Sequence, residues 1–297
     1  MELRHIVVAT DESDAGRRAV QAGMGLAQRA GARITIMRAV SVAATPALAA
    51  VGHKGTGEEF DYSGGAMERL QRWLEPELSP PMGHLRVELG IALGSPGIEI
   101  CRFAEDRAAD LLILGRKQRS QLGRLLLGDT ADAVTRRSRI PCLSVARNTT
   151  CFSRILVALD GIPRGLTVLH SAANFAECSS GHLRAVTVEP ELDGEASPLS
   201  DATPSTRSEK LREEMHAYLD GERRERIGWP GVESAGDLLE VRRGEVVNQV
   251  LLATEASDAE VLVFGYHRGG PPGIIEAGST SRRLAHMAPC SVLTIPL

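Results

Sequence analysis

The sequence predicts an α/β protein built as two tandem copies of an open, five-stranded parallel sheet, doubly wound with helices on both faces. The first observation behind this is a repeat. R-H-I-V-V-A-T-D ending at Asp11 returns as R-I-L-V-A-L-D ending at Asp160, and A-A-D-L-L-I-L-G closing at Gly115 returns as D-A-E-V-L-V-F-G closing at Gly265. L-L-L-G-D-T (Gly128) is answered by E-A-G-S-T (Gly278), and I-P-C-L-S-V (Pro141, Cys142) by A-P-C-S-V-L (Pro289, Cys290). The offsets are 160−11 = 149, 265−115 = 150, 278−128 = 150 and 289−141 = 148, so four landmarks keep one spacing. The second observation is a strict alternation of apolar strands with helical segments, which demands parallel strands and right-handed crossovers. The third is composition: 43% hydrophobic residues with only 3% aromatic give an aliphatic core of the kind that parallel sheets bury on both faces. Domains are expected at 1–149 and 150–297.

In the first copy, a strand at 4–10 precedes a helix at 14–30 ended by Gly31, and R-I-T-I-M-R-A-V (33–40) is the second strand. A low-hydropathy insert, 41–61, is followed by a helix over 64–75 stopped by Pro76 and by an alternating strand at 85–91. Gly94-Ser95-Pro96 opens the next helix, with Ser as cap and Pro in the first turn. A buried strand (110–114), a helix (128–138) and a last strand (142–146) complete the copy. The second copy repeats the order: strand 154–159, helix 164–178, strand 182–188, insert 190–206, helix 207–226, strand 237–243, helix 245–256, strand 260–264, helix 279–287 and strand 291–295. Both inserts leave the sheet at its C-terminal edge, where open α/β sheets bind ligands.

A net charge of −4 argues against nucleic acid as a partner, since no basic excess exists to neutralise phosphates along a backbone. Met1 leads directly into a strand and no apolar run is long enough to span a bilayer, so a cytoplasmic protein without membrane insertion is expected. The five cysteines form no CxxC pair and no cluster with metal spacing, and Cys142 and Cys290 read as small buried hydrophobes.

Asp11 and Asp160 end the first strand of each copy, where a carboxylate can accept hydrogen bonds from a ribose hydroxyl or an adenine amino group; an N-cap for the following helix is the competing role. The loop after the fourth strand runs Gly115-Arg116-Lys117-Gln118 to Gly128-Asp129-Thr130 in the first copy, and Gly265-Tyr266-His267-Arg268 to Gly278-Ser279-Thr280 in the second. Glycines there let amides approach an anion, and the helix that follows can hold phosphate at its N-terminus. Gly23-x-Gly25 lies within a helix and is no dinucleotide fingerprint, and no G-x4-G-K-[S/T] occurs.

The Asp after strand one and the spaced glycines after strand four, in both copies, resemble the universal stress protein family in its tandem two-domain form. That resemblance covers essentially the whole chain. It implies an adenine nucleotide alpha hydrolase-like sheet with strand order 3-2-1-4-5, and a site for ATP, with Mg²⁺, bounded by a G-x2-G-x9-G-[S/T] loop. Carried over by position, the second copy offers Asp160, Val188, Gly265, Gly278, Ser279 and Thr280, with Arg268 at the second glycine and Gly269 displaced by one. The first copy offers Asp11, Val40, Gly115, Gly128 and Thr130, but Gln118 replaces a glycine and Asp129 replaces the hydroxyl residue. An aspartate at that helix start repels phosphate, which makes the second copy the more complete ATP site. Arg116, Lys117, Arg119 and Arg124 are expected to form a solvated basic loop.

The resemblance further implies a stress-responsive adenine-nucleotide binder and an intramolecular pseudo-dimer of the two copies through strands 142–146 and 291–295, with further homodimerisation left open. Two alternatives stand beside it: an interaction scaffold whose sites are relics, and a slow ATPase. The sequence offers no nucleophile–base pair, metal cluster or catalytic site residue to support an enzyme.

Overall fold

The computed structural model describes residues 3–41, 62–78, 85–118, 125–126, 128–146, 152–160, 164–189, 209, 213, 239–266 and 279–297. The inserts at 41–61 and 190–206 lie outside these residues save for Ser41, as does nearly all of the helix expected over 207–226. The chain divides into two compact units, Glu2–Cys151 and Phe152–Leu297.

In the first unit the elements are β1 (His5–Ala9), α1 (Asp14–Ala30), β2 (Arg33–Val40), α2 (Tyr62–Leu78), β3 (Val87–Leu93), α3 (Pro96–Asp106), β4 (Leu111–Gly115), β5 (Lys117–Gln118), β6 (Leu125–Leu126), α4 (Asp129–Arg137) and β7 (Cys142–Val145). Five strands lie in the order β3-β2-β1-β4-β7, all parallel. The second unit contains β8 (Arg154–Leu159), α5 (Arg164–Ser179), β9 (His182–Glu189), β10 (Leu239–Arg243), α6 (Val246–Ala256), β11 (Val261–Tyr266), α7 (Ser279–Met287) and β12 (Ser291–Pro296). Its parallel order is β10-β9-β8-β11-β12. Each unit therefore has the 3-2-1-4-5 order, and the chain reverses direction across the sheet between its first and fourth strands.

The alternation of buried residues along β1 shows why helices cover both faces. Val8 points at α1, where a Cβ on Gly23 would come within 2.5 Å of its Cγ2. Val7 and Ala9 point the other way, into a cluster with Ile100 and Ala104 of α3, Val134 of α4 and Leu112 and Leu114 of β4. Gly23 thus serves helix–sheet packing. Helix α1 ends at Gly31 as its sequence predicts, with φ 64° and its N–H reaching the Ala27 carbonyl, and it is capped at its start by the Ser13 side chain, which accepts from the Gly16 amide. No helix among the described residues is long and apolar enough to cross a membrane.

Three local expectations are corrected. Pro76 lies inside α2, which continues to Leu78. The turn beyond it is held from outside: Arg17 Nη1 and Gln21 Nε2 of α1 donate to the Glu77 carboxylate at 2.6 and 3.0 Å, and Arg17 also lies 4.7 Å over the Trp73 ring. Ser95 occupies the cap position of α3 but its hydroxyl makes no cap hydrogen bond; its carbonyl receives the Ile98 and Glu99 amides, and Pro96 removes one amide from the demand. The equivalent Glu245 does cap α6, accepting from the Asn248 amide at 2.7 Å. An antiparallel pair, Lys117↔Leu126 and Gln118↔Leu125, also stands where only a loop was expected.

At the N-terminal edge, each unit pins its first strand to its fourth with one carboxylate. Asp110 Oδ2 accepts from the Arg4 and His5 amides at 2.8 Å each, and Glu260 Oε2 accepts from the Ser153 and Arg154 amides at 2.6 and 3.1 Å. Beside the first clamp, the buried His5 ring lies 3.0 Å from the Arg107 carbonyl through Nδ1 and 2.8 Å from Thr35 Oγ1 through Nε2. A carbonyl can only accept, so Nδ1 carries the proton of the neutral ring and Nε2 accepts from the Thr35 hydroxyl. Burial pushes the imidazole below its ordinary value of 6.5, against a smaller upward pull from the Arg107 carbonyl.

The unfolded chain then binds the His5 proton more readily than the native one. The contribution of His5 to stability is complete above pH 6.5 and is lost as pH falls from 6.5 toward the native value. Thermal melts between pH 7.5 and 5 should show a midpoint that declines less steeply in His5→Asn than in the unsubstituted protein; equal slopes would contradict this assignment.

Candidate functional site

A cleft of about 240 Å³ opens at the C-terminal edge of the first unit's sheet, at the switch point between β1 and β4. Strand β1 and the turn after it deliver Ala9, Thr10 and Asp11, β4 delivers Leu114 and Gly115, and Ala39 comes from the end of β2. Pro96 and Ile100 of α3 form an apolar wall, and the first turn of α4 contributes Gly128, Asp129, Thr130 and Ala131. Of the first-copy residues expected from sequence, Asp11, Gly115, Gly128 and Thr130 are brought together here. Val40 does not line the cleft; its carbonyl accepts from the Gly94 amide at 2.9 Å, and its neighbour Ala39 faces the space.

Asp11 does not cap α1, because Ser13 does. Its carboxylate instead accepts from the Ser13 amide at 3.2 Å and from the Ser13 hydroxyl, while Lys117 Nζ stands 3.6 Å from Oδ2. Desolvation raises the Asp11 pKa, but the Ser13 hydrogen bonds and the Lys117 charge outweigh it and hold the group below its ordinary value of 3.8. Asp11 is an ionised, exposed acceptor at neutral pH. Its neighbour Glu12, at φ 61°, is nearly buried and binds Arg38 of β2 as well as Arg69 of α2, the latter at 3.1 Å, which ties the β1–α1 turn to both elements.

Arg116 departs from the expected solvated loop. It is fully buried, its amide donates to the Val145 carbonyl at 2.8 Å, and its own carbonyl accepts from Arg18 Nη2 at 3.0 Å. The equivalent residue in the second unit is Tyr266, also buried, so this position turns inward in both copies. Arg119 and Arg124 lie outside the described residues. Lys117 alone of the expected basic loop faces the cleft among the described residues.

In the second unit Asp160 is exposed directly after β8, and Ser279 and Thr280 begin α7. Gly269 and Gly278 lie outside the described residues. Register pairs Val188 with Arg242, whereas Glu189 pairs with Arg243, as Val40 pairs with Leu93. Glu189 also accepts the Gly244 amide at 3.0 Å as Val40 accepts that of Gly94, so Val188 answers to Ala39 and not to Val40. Ser281 Oγ of α7 donates to the Gly265 carbonyl at 2.9 Å, fixing the helix start against the strand end.

Sequence reasoning overlooked Thr10, Ala39, Pro96 and Ile100 as cleft-lining residues. The Gly94-Ser95-Pro96 turn carried a signal for the last two, since it begins a helix at the same sheet edge. Among the described residues no group of three or more His, Cys, Asp or Glu side chains could hold a metal ion. Two of the cysteines are chemically quiet: burial pushes the Cys101 thiol up to about 11 and the Cys142 thiol up to about 12.

The model of the universal stress protein family matches residues 2–146 and again 152–296. The chain belongs to the universal stress protein family. It is 27% identical over 146 residues to universal stress protein MJ0531 of Methanocaldococcus jannaschii, covering 48% of this chain and 82% of that protein. It is 25% identical over 206 residues to universal stress protein Rv2319c of Mycobacterium tuberculosis, 65% of this chain and 66% of that one. The crystal structure of a universal stress protein from Archaeoglobus fulgidus superposes on 100% of this chain and 99% of its own with a TM-score of 0.68 at 17% identity, which speaks to the fold alone.

Within this universal stress protein the repeated glycine near the end of the fourth strand has a packing role. A Cβ on Gly115 would lie 2.1 Å from the Ala15 carbonyl oxygen and 2.8 Å from the Gly16 amide, both backbone atoms of α1. At Gly265 the nearest atoms are side-chain carbons, Leu297 Cδ1 at 2.4 Å and Val168 Cγ2 at 3.1 Å, which can move aside. Overpacking costs about 1–3 kcal/mol where neighbours adjust and more where backbone must shift. In urea unfolding, Gly115→Ala should therefore lose about 3 kcal/mol or more and Gly265→Ala about 1–2 kcal/mol; the reverse order would refute this account of the two glycines.

Proposed function

We propose that this universal stress protein is a cytosolic stress-response regulator that binds an adenine nucleotide without turning it over, with the second unit the stronger ATP site. The observation that supports it is the first unit's cleft. It stands at the switch point of the sheet, and Asp11, Gly115, Gly128 and Thr130 converge on it from three separated stretches of sequence. One wall is apolar and suits a flat base, and Asp11 offers an ionised acceptor for hydroxyls.

The chemistry favours binding over hydrolysis. A general base works best with a pKa near 7. Asp11 is held below its ordinary value by Ser13 and Lys117 and so has little affinity for a proton. The second unit supports the stronger ATP site because Ser279 stands at the start of α7, where the first unit has Asp129 at the start of α4. A hydroxyl at a helix N-terminus donates to phosphate, and a carboxylate opposes it. When bound, Mg²⁺ would supply charge neutralisation for the phosphate chain.

Calorimetric titration of ATP with Mg²⁺ into the nucleotide-stripped chain should give saturating heat near one site per chain, with no phosphate released over hours. Asp160→Ala should weaken binding at least about tenfold, the cost of about 1.5–3 kcal/mol for a hydrogen bond to a charged group. Absence of heat would refute the nucleotide reading, and steady phosphate release would replace the binder with an enzyme.

A further inference from the structure

Resting on that reading, we propose that the first unit's cleft takes an uncharged nucleoside-type ligand and turns away polyphosphates, with Asp129 as the residue that sets this preference. Three charged side chains line the cleft among the described residues: Asp11, Lys117 and Asp129. The one cation is already matched, since Lys117 Nζ stands 3.6 Å from Asp11 Oδ2. Among the described residues, Asp129 is left as net negative charge at the polar end.

Asp129 is the first residue of α4 and is exposed to the cleft. The helix start it occupies has a glycine at its cap position, which offers its amides no side-chain cap. Such a terminus carries partial positive charge and would draw a phosphate group. In this unit a carboxylate fixed to the protein already sits in that field, and an incoming phosphate chain would meet like charge at short range in a partly desolvated space.

The remainder of the space suits a nucleoside. Ala39, Pro96, Ile100 and Leu114 offer an apolar surface for a flat ring, while Asp11 and Thr130 offer partners for sugar hydroxyls. At about 240 Å³ the cleft is also small beside ligand pockets of about 300–1,000 Å³. The second unit has Ser279 at the corresponding helix start, so the two copies divide ligands by charge.

The chain has three lysines, Lys54, Lys117 and Lys210, so acetylation of Lys117 read by mass spectrometry reports occupancy of this cleft separately from the second unit. Protection of Lys117 should be titrated with adenosine, AMP and ATP, each with and without Mg²⁺. The half-protecting concentration should rise from adenosine through AMP to ATP, by roughly tenfold or more overall. Asp129→Ser should lower the ATP value toward that of adenosine and leave the adenosine value within about twofold. ATP protecting as well as adenosine, protection by none of the three, or an unchanged ratio in Asp129→Ser would each overturn the proposal. Calorimetric heat with ATP in those cases would leave the broader nucleotide reading standing, and absence of heat with all three ligands would remove both.

Discussion

The site depends on one close contact, the backbone approach of the first turn of α1 to the ends of β1 and β4. A Cβ on Gly16 would lie 2.3 Å from Thr10 Oγ1, and one on Gly115 would lie 2.1 Å from the Ala15 carbonyl oxygen. Side chains on either face of that seam would push the helix off the sheet and open the switch point. With the seam closed, the Thr10 hydroxyl accepts the Glu12 amide at 3.0 Å and Ser13 takes the helix cap, which leaves Asp11 exposed at the edge of the cleft. The opposite end of the same strand pair is fixed by Asp110 across the Arg4 and His5 amides. Strands β1 and β4 are thus held in register, Ile6↔Leu111 through Ala9↔Leu114, by a packing constraint at one end and an electrostatic one at the other.

What could be read in the sequence was what periodicity encodes. The alternation of strands and helices, the doubled unit and the 3-2-1-4-5 order implied by the family resemblance all appear in the structure, because burial on both faces leaves few arrangements for such a pattern. Errors arose where one residue's direction mattered. At the end of β2 the family resemblance assigns Val40 a backbone contact; its carbonyl accepts the Gly94 amide, while the neighbouring Ala39 lines the cleft. Pro76 shows a different failure: local propensity favoured a stop, but Arg17 and Gln21, some 55–60 residues earlier in the chain, hold Glu77 and carry α2 past it. Arg116 looked solvated because it adjoins a glycine and a lysine, yet it occupies the buried position that Tyr266 fills in the other copy.

Comparison of the two copies separates residues that build the sheet edge from those whose recurrence packing does not explain. Asp110 and Glu260 make the same clamp, and Gly115 and Gly265 both clear space for neighbouring atoms, so packing and backbone hydrogen bonding account for their recurrence. Asp11 and Asp160 are different. Both are exposed, where burial places no demand on residue type. Ser13, which engages Asp11 through its amide and its hydroxyl, is answered in sequence by Ile162, which has no hydroxyl. The glycines first suggested a phosphate loop, but Gly115 and Gly265 are explained by contact with α1, Val168 and Leu297. What is left to explain is the pair of strand-end carboxylates, and the charge difference between the helix starts α4 and α7, at Asp129 against Ser279 and at Asp132 against Arg282.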